Sequence, residues 1–351
     1  MLDAISENTA VALVGLFGGI LLGLSARLGR FCTLGAIEDV LYADATLRAR
    51  MWGIAIGTAV VGTYCLSAIG LLKVEDSLYL SRHWSPSASI IGGLLFGYGM
   101  ALAGNCGFGA LARLGGGDLR SFVIVLVMGL SAYITLGGPL APLRLALWEG
   151  NTPLETPQDM ASLISGSTGL SLHTTGLMIG ILILLGTLAH KPLMKDPKYI
   201  LWGVVVGLAI VSGWAGTSWV AQNGFGATQI VSHTFSAPIG ETMLYVMTAY
   251  GNAIGFGTGS VFGVLIGAFL GSLLKGHFRW EACEDPRELR RQIFGAALMG
   301  IGAVVAVGCS VGQGLSAFSV LAYSAPVTLA AIILGAAIGL RQLIEGFVSP
   351  V

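Results

Sequence analysis

The sequence predicts an all-α polytopic membrane protein, and its composition is the first reason. Of the 351 residues, 54% are hydrophobic and only 10% are charged, and the mean hydropathy is +0.82. The second reason is that long apolar stretches recur along the whole chain, with short clusters of Pro, Gly and charged residues between them. A soluble globular domain is excluded, because repeated runs of about 20 apolar residues suit the hydrocarbon core of a bilayer.

Nine of these stretches are long enough to be membrane-spanning helices. They begin near Val11, Met51, Ile90, Ser121, Gly166, Ile200, Met243, Ile293 and Val320. The stretch from Met243 to Leu274 is longer than one span needs, which leaves room for a short additional half-helix. The prediction is therefore about nine spans together with short membrane-embedded half-helices.

Two parts of the chain resemble each other. Placing residues 92–109 on residues 295–312 gives seven identities in eighteen positions and aligns Cys106 with Cys309. Threading the nine spans alternately through a bilayer runs the two copies in opposite directions, which predicts an inverted repeat. Transporters with inverted repeats build a central site from broken helices, whose N-termini can face an anion.

The chain has no linker long enough to separate a second domain. We therefore expect one membrane domain over residues 1–351. Its first repeat would span about 11–145, a connecting helix about 166–190, and the second repeat about 199–345.

The basic residues predict the orientation of the spans. If the N-terminus lies outside, the 18 Lys and Arg residues all fall on the inner side except Lys73, Arg82 and Arg144. This is the asymmetry of the positive-inside rule, so the N-terminus is expected outside and the C-terminus in the cytoplasm. The acidic start of the chain, with Asp3 and Glu7, argues against a cleavable signal peptide.

Three of the five cysteines are the strongest candidates for a functional role. Cys32, Cys106 and Cys309 lie in or beside apolar stretches, and glycine brackets the last two closely. Glycine lets a ligand approach the backbone, and a thiol is a soft, weakly hydrogen-bonding group, so the pattern favours a polarizable substrate. The alternative is that they are small apolar packing residues, which is the interpretation given to Cys65 and Cys283.

The residues around these cysteines are predicted to support an anion path. Glycine turns expose backbone N–H groups, and a helix that starts there points its positive end inward. Arg30 would either attract the anion at the inner mouth or reach the lipid headgroups, and Gln313 would either contact the substrate or join two helices. The supporting residues are Arg30, Asn105, Gly107, Gly109, Gly308, Ser310, Gly312 and Gln313.

Several other site classes find no support in the sequence. No C-x-x-C pair, zinc-ligand spacing or nucleotide-binding loop is present, so we predict no metal, no cofactor and no enzyme activity. The histidines at 173, 190, 233 and 277 are placed near span ends or in loops and receive no role.

The three cysteine motifs together resemble the YeeE/YedE family, whose members carry a sulphur transport domain. The motifs are Leu28-Gly29-Arg30-Phe31-Cys32, Ala103-Gly104-Asn105-Cys106-Gly107-Phe108-Gly109 and Gly308-Cys309-Ser310-Val311-Gly312-Gln313-Gly314-Leu315. The resemblance covers essentially the whole chain. One departure is Asn105, because the family commonly has glycine before the second cysteine, and the amide adds donors and an acceptor beside the expected path.

The resemblance implies a bacterial inner-membrane importer of thiosulfate or a related sulfur anion. It implies two pseudo-symmetric halves, with Cys32, Cys106 and Cys309 along an hourglass-like path. By the same analogy, a cytosolic sulfur carrier or rhodanese would receive the sulfur. The alternatives are a transporter of another sulfur or selenium species, a membrane thiol oxidoreductase, and a structural membrane subunit.

Overall fold

The structure is a computed structural model that describes residues 6–148, 158–224, 228–282 and 285–346. Over these ranges the chain is helical, with isolated bridges in place of strands. The helices are α1 Glu7–Leu28, α2 Thr33–Tyr42, α3 Leu47–Ala68, α4 Pro86–Ala103, α5 Gly107–Gly115, α6 Leu119–Leu136, α7 Ala141–Trp148, α8 Met160–Thr168, α9 Leu172–Leu188, α10 Lys191–Lys195, α11 Pro197–Asn223, α12 Ala237–Thr248, α13 Phe256–Leu274, α14 Pro286–Val305 and α15 Ser324–Glu345. A 3₁₀ turn, Val74–Asp76, and a π-helix, Gly312–Ala317, complete them. The prediction of an all-α membrane protein is confirmed.

In the described ranges, the helices long and apolar enough to cross a membrane number seven, or eight if the bent pair α8 and α9 forms one span. The exact number nine is therefore not confirmed. The eighth predicted span, from Ile293, coincides with α14, which is not among these helices and whose first turns carry Arg287, Glu288, Arg290 and Arg291. The span predicted from Met243 begins instead at Phe256, and α12 before it is a separate short helix.

Three helices end just before the three motif cysteines, because the backbone turns sharply there. Arg30 has φ +55°, Gly104 has φ +77° and Val307 has φ +54°, and each lies two positions before its cysteine. A residue in this left-handed region cannot continue a right-handed helix. The chain therefore stops α1, α4 and α14 and starts a new short helix at each site.

Glycine faces allow the long helices to pack backbone against backbone. A Cβ atom added to Gly19 on α1 would lie 2.4 Å from the carbonyl oxygen of Ser260 on α13. On α4, a Cβ atom at Gly92 would lie 2.7 Å from the carbonyl oxygen of Gly302 on α14. Close contact of this kind is the usual way in which helices associate in lipid, where the hydrophobic effect between helices is weak.

The main helix contacts can be compared with the predicted repeat, which relates α1 to α11, α3 to α13, α4 to α14 and α6 to α15. Helix α1 packs on α13 while α11 packs on α3, and α4 packs on α15 while α14 packs on α6. The inverted repeat, the repeat bounds and the single-domain organisation stay predictions. Two residues mentioned in the sequence analysis, Asp3 and Cys283, lie outside the described residues.

Candidate functional site

Each of the three motif cysteines lies at the N-terminus of a short helix and accepts a backbone hydrogen bond from its first turn. Cys32 precedes α2, Cys106 precedes α5, and Cys309 precedes the helical residues 310–319, which contain the π-helix. The Sγ atoms accept from the N–H groups of Gly35 at 3.5 Å, Gly109 at 3.4 Å and Gly312 at 3.4 Å. The thiol takes the place that a Ser or Asp oxygen usually has at a helix N-cap.

Thr33 brings the three helix N-termini together. Its hydroxyl donates to Oγ of Ser310 at 3.1 Å and approaches Sγ of Cys106 at 3.9 Å. Thr33 is the first residue of α2 and Ser310 follows Cys309, so one side chain connects all three motifs. The positive ends of three helix dipoles therefore point toward the same small volume.

A segment without regular secondary structure, residues 228–236, also contacts the thiol of Cys309. The backbone N–H of Phe235 donates to Sγ of Cys309 at 3.4 Å, and Oγ1 of Thr234 lies 3.7 Å from the same sulfur. The segment is held in place because Oγ of Ser316 donates to the carbonyl oxygen of His233 at 2.6 Å. Sequence reasoning missed it, although the polar run Ser232-His233-Thr234 between two apolar stretches was a usable signal.

His233 contradicts the expectation that it is a solvated loop residue. Its side chain is fully buried, Nδ1 lies 2.6 Å from Oγ of Ser260, and its ring packs on Phe256 with centroids 4.9 Å apart. The sequence interpretation failed because the loop before α12 folds into the protein instead of running over its surface.

Aromatic rings surround the thiols. Phe31 stacks on Trp52 with centroids 4.6 Å apart, and Phe108 lies 5.2 Å from Phe235. Phe31 immediately precedes Cys32, Phe108 immediately precedes Gly109, and the backbone of Phe235 donates to Cys309. All three side chains are buried. They restrict the site to narrow, water-poor surroundings, in which the remaining polar groups interact more strongly than in water.

A basic cavity opens on one side of the thiols. It has a volume of about 660 Å³, and Cys32 and Asn105 lie in its wall. Its charged lining is mostly positive, with Glu38 and Glu281 as the exceptions, and the basic side chains are Arg27, Arg30, Arg48, Arg113 and Lys275. Burial and the neighbouring cations Arg30 and Arg27 lower the pKa of Lys275, as expected where positive charges are crowded.

A second cavity of about 500 Å³ is lined by a different group of residues. Its wall includes Tyr79, Arg82, Trp84 and Gln313. Cys106 and Cys309 line neither cavity and are 0% and 1% exposed. These two thiols are therefore enclosed, although Asn105 and Gly109 beside Cys106 line the basic cavity, and Val307 and Gln313 beside Cys309 line the second.

The predicted supporting residues lie close to the thiols, but they differ in what they do. Gly109 and Gly312 donate backbone hydrogen bonds to sulfur, and Ser310 accepts one from Thr33. Gly308 has φ +154°, which favours glycine. A Cβ atom on Gly107 would lie 2.6 Å from Sδ of Met128, so this residue allows α5 to pack on α6.

Arg30 and Gln313 have specific surroundings. Arg30 lies in the wall of the basic cavity, next to the turn that ends α1. The Gln313 amide donates to the carbonyl oxygens of Ala306 at 2.8 Å and Val307 at 3.1 Å, and it accepts from Ser324 at 3.0 Å. Gln313 thus satisfies carbonyl groups left free at the end of α14 and joins them to the start of α15, while its contact with a substrate stays a prediction.

Asn105 has a buried side chain without a hydrogen-bond partner among the described residues. Its side chain is 1% exposed, its Oδ1 atom is buried and unbonded, and its amide makes no hydrogen bond to any residue that the structure describes. Among the described residues there is also no group of three or more His, Cys, Asp or Glu side chains that could hold a metal ion.

Comparison with known proteins gives consistent relatives. The sequence pattern described as "Sulphur transport" matches residues 28–338. The thiosulfate transporter TsuA of Spirochaeta thermophila is 26% identical over 330 residues, which cover 92% of this chain and 96% of the relative. TsuA of Escherichia coli is 25% identical over 344 residues, 93% of each chain. The probable transporter YedE of Escherichia coli is 30% identical over 149 residues, 42% of this chain and 35% of its own.

Proposed function

Because this chain belongs to the YeeE/YedE family of sulphur transport proteins, we propose that it carries thiosulfate or a closely related sulfur anion across the bacterial inner membrane. The family and its named relatives are transporters, and the chain is accordingly a multi-pass membrane transporter rather than an enzyme. Three features are proposed: thiosulfate or a related anion as the substrate, the inner membrane as the location, and a path along the three cysteines.

One observation carries the proposal. Three thiols cap three short helices whose N-termini meet at Thr33; residues of the first two motifs line the basic cavity, and residues of the third line the second cavity. Helix N-termini and free backbone N–H groups favour an anion, and neutral thiols suit its soft terminal sulfur without repelling its charge. Each such hydrogen bond is worth only about 1 kcal/mol net, so a substrate can pass from one group to the next without being trapped.

The orientation completes the proposal. With the N-terminus outside, the basic cavity faces the cytoplasm and the second cavity faces outward. Thiosulfate would enter past Tyr79 and Gln313, pass Cys309 and Cys106, and leave past Cys32. A cytosolic sulfur carrier or rhodanese as the recipient rests on family analogy alone.

The test is uptake of ³⁵S-thiosulfate by cells without other thiosulfate or sulfate import. We expect uptake with the wild-type chain and with Cys65→Ala, because Cys65 is exposed on α3, away from the site. Absence of uptake with the wild-type chain, at confirmed membrane expression, would sink the thiosulfate assignment.

Cys32→Ala is expected to reduce uptake about fivefold, the effect of one hydrogen bond of about 1 kcal/mol. The loss is partial because Cys32 lies in the wall of an open cavity, where water and neighbouring cations can replace the thiol. Initial rates at matched expression measure it. An unchanged rate would remove Cys32 from the path.

Arg113→Gln is expected to weaken thiosulfate binding to the purified protein about fivefold, because one exposed charge contributes about 1 kcal/mol at short range in water. The difference between the variant and the wild type should shrink as salt is raised, since salt screens exposed charges. Arg341→Gln is the matched control, because Arg341 pairs with Glu345 at the exposed end of α15. Equal Kd values for Arg113→Gln and the wild type at low salt would contradict the prediction.

A further inference from the structure

Asn105 has a polar side chain that the described residues around it leave without a hydrogen bond. It lies in the short break between α4 and α5, one residue before the buried thiol of Cys106. The Asn105 amide nitrogen makes no hydrogen bond to a described residue and, unlike the buried Oδ1, is not fully enclosed. An N–H donor that is withdrawn from bulk water and left without an acceptor is costly. Native proteins seldom leave such a group unpaired unless something else binds it.

The position of Asn105 shows where that partner would come from. The residue lies in the wall of the basic cavity together with Cys32 and Gly109, so its amide borders the route between the cavity and Cys106. The turn at Gly104, with φ +77°, holds the residue there independently of any side-chain bond. The amide is therefore available to a passing ligand.

We infer that Asn105 is a specificity-determining residue that selects sulfur anions bearing oxygen atoms, and this inference rests on the proposed function. An amide offers two N–H donors, which suit the hard oxygens of a sulfur oxyanion. The adjacent thiol suits the soft terminal sulfur. Residues 105 and 106 together bind both ends of an anion such as thiosulfate, whereas a sulfur anion without oxygen engages the thiol alone.

The experiment measures binding of ³⁵S-thiosulfate to the purified wild-type protein and to Asn105→Ala, with competition by unlabelled thiocyanate, a sulfur anion without oxygen. We expect Asn105→Ala to raise the Kd for thiosulfate about tenfold, the effect of one hydrogen bond to a charged acceptor. The inhibition constant for thiocyanate should stay within about twofold of the wild-type value, because thiocyanate does not use the amide.

Two further variants separate binding from packing. Asn105→Ser should restore part of the thiosulfate affinity, because its hydroxyl supplies one donor. Asn105→Asp should bind thiosulfate more weakly than Asn105→Ala, because a carboxylate repels the anion and donates nothing. Asn223→Ala is the matched control, since that amide bonds to the carbonyl oxygen of Trp219 at the exposed end of α11.

Three outcomes would overturn the inference. One is an unchanged Kd for thiosulfate in Asn105→Ala, and another is an equal loss of affinity for thiocyanate, which indicates a general packing defect. The third is an Asn105→Asp variant that binds thiosulfate as well as the wild type. Failure of the wild-type protein itself to bind or take up thiosulfate would instead reject the proposed function, so the two failures are distinguishable.

Discussion

Cys106→Ala is expected to reduce thiosulfate uptake to the background of cells without the protein. Cys106 is fully buried, lines neither cavity and lies beside Thr33, where the three short helices meet. Bulk water does not reach Cys106 to replace its thiol, in contrast to Cys32 at the cavity wall. Initial rates of ³⁵S-thiosulfate uptake at matched membrane expression measure the effect.

Folding must be separated from transport in this experiment, because Sγ of Cys106 also caps α5. Loss of an N-cap destabilises a protein by about 1 kcal/mol. Cys106→Ser retains an N-cap acceptor of similar size but lacks the soft sulfur, so we expect it to fold normally and still transport poorly. Cys65→Ala is the control for loss of a thiol as such. Wild-type uptake by both Cys106 variants would reduce this residue to a packing role.

Gly97→Val is expected to prevent stable folding. A Cβ atom on Gly97 would lie only 2.0 Å from the carbonyl oxygen of Ile332 and 2.8 Å from the backbone nitrogen of Ala336. Both are backbone atoms of α15, so no side chain can rotate away, and α4 and α15 must separate. Overpacking of a well-packed interior costs about 1–3 kcal/mol even where side chains can adjust, and we expect more here.

The measurement is the amount of monodisperse protein after detergent extraction, followed by thermal unfolding. Gly186→Val on α9 is the matched control, because a Cβ atom there would meet no atom within 4 Å. We expect the control to extract and unfold like the wild type, apart from a small gain in helix propensity, because valine is a better helix former than glycine. A monodisperse Gly97→Val protein with an unchanged midpoint would contradict the close packing of α4 on α15.

The sequence by itself determined the class of the protein and the residues at the centre of its candidate site. Repeated apolar stretches specify membrane-spanning helices because a bilayer imposes one length and one polarity on every span. Glycine and cysteine motifs marked all three helix breaks, since local backbone geometry depends on residues close in sequence. The count of spans was less secure, because charges such as Arg290 and Arg291 at the start of α14 lie where hydropathy alone cannot set a boundary.

Only the tertiary structure decided which groups meet around the thiols. Thr33 bonds to Ser310, 277 positions away, and the Phe235 N–H reaches Cys309 across 74 positions. The roles of Gln313 and His233 also became visible only in three dimensions, as did the unpaired amide of Asn105. The physical reason is that hydrogen bonding and burial depend on the neighbours that packing supplies, and helices far apart in the chain supply them.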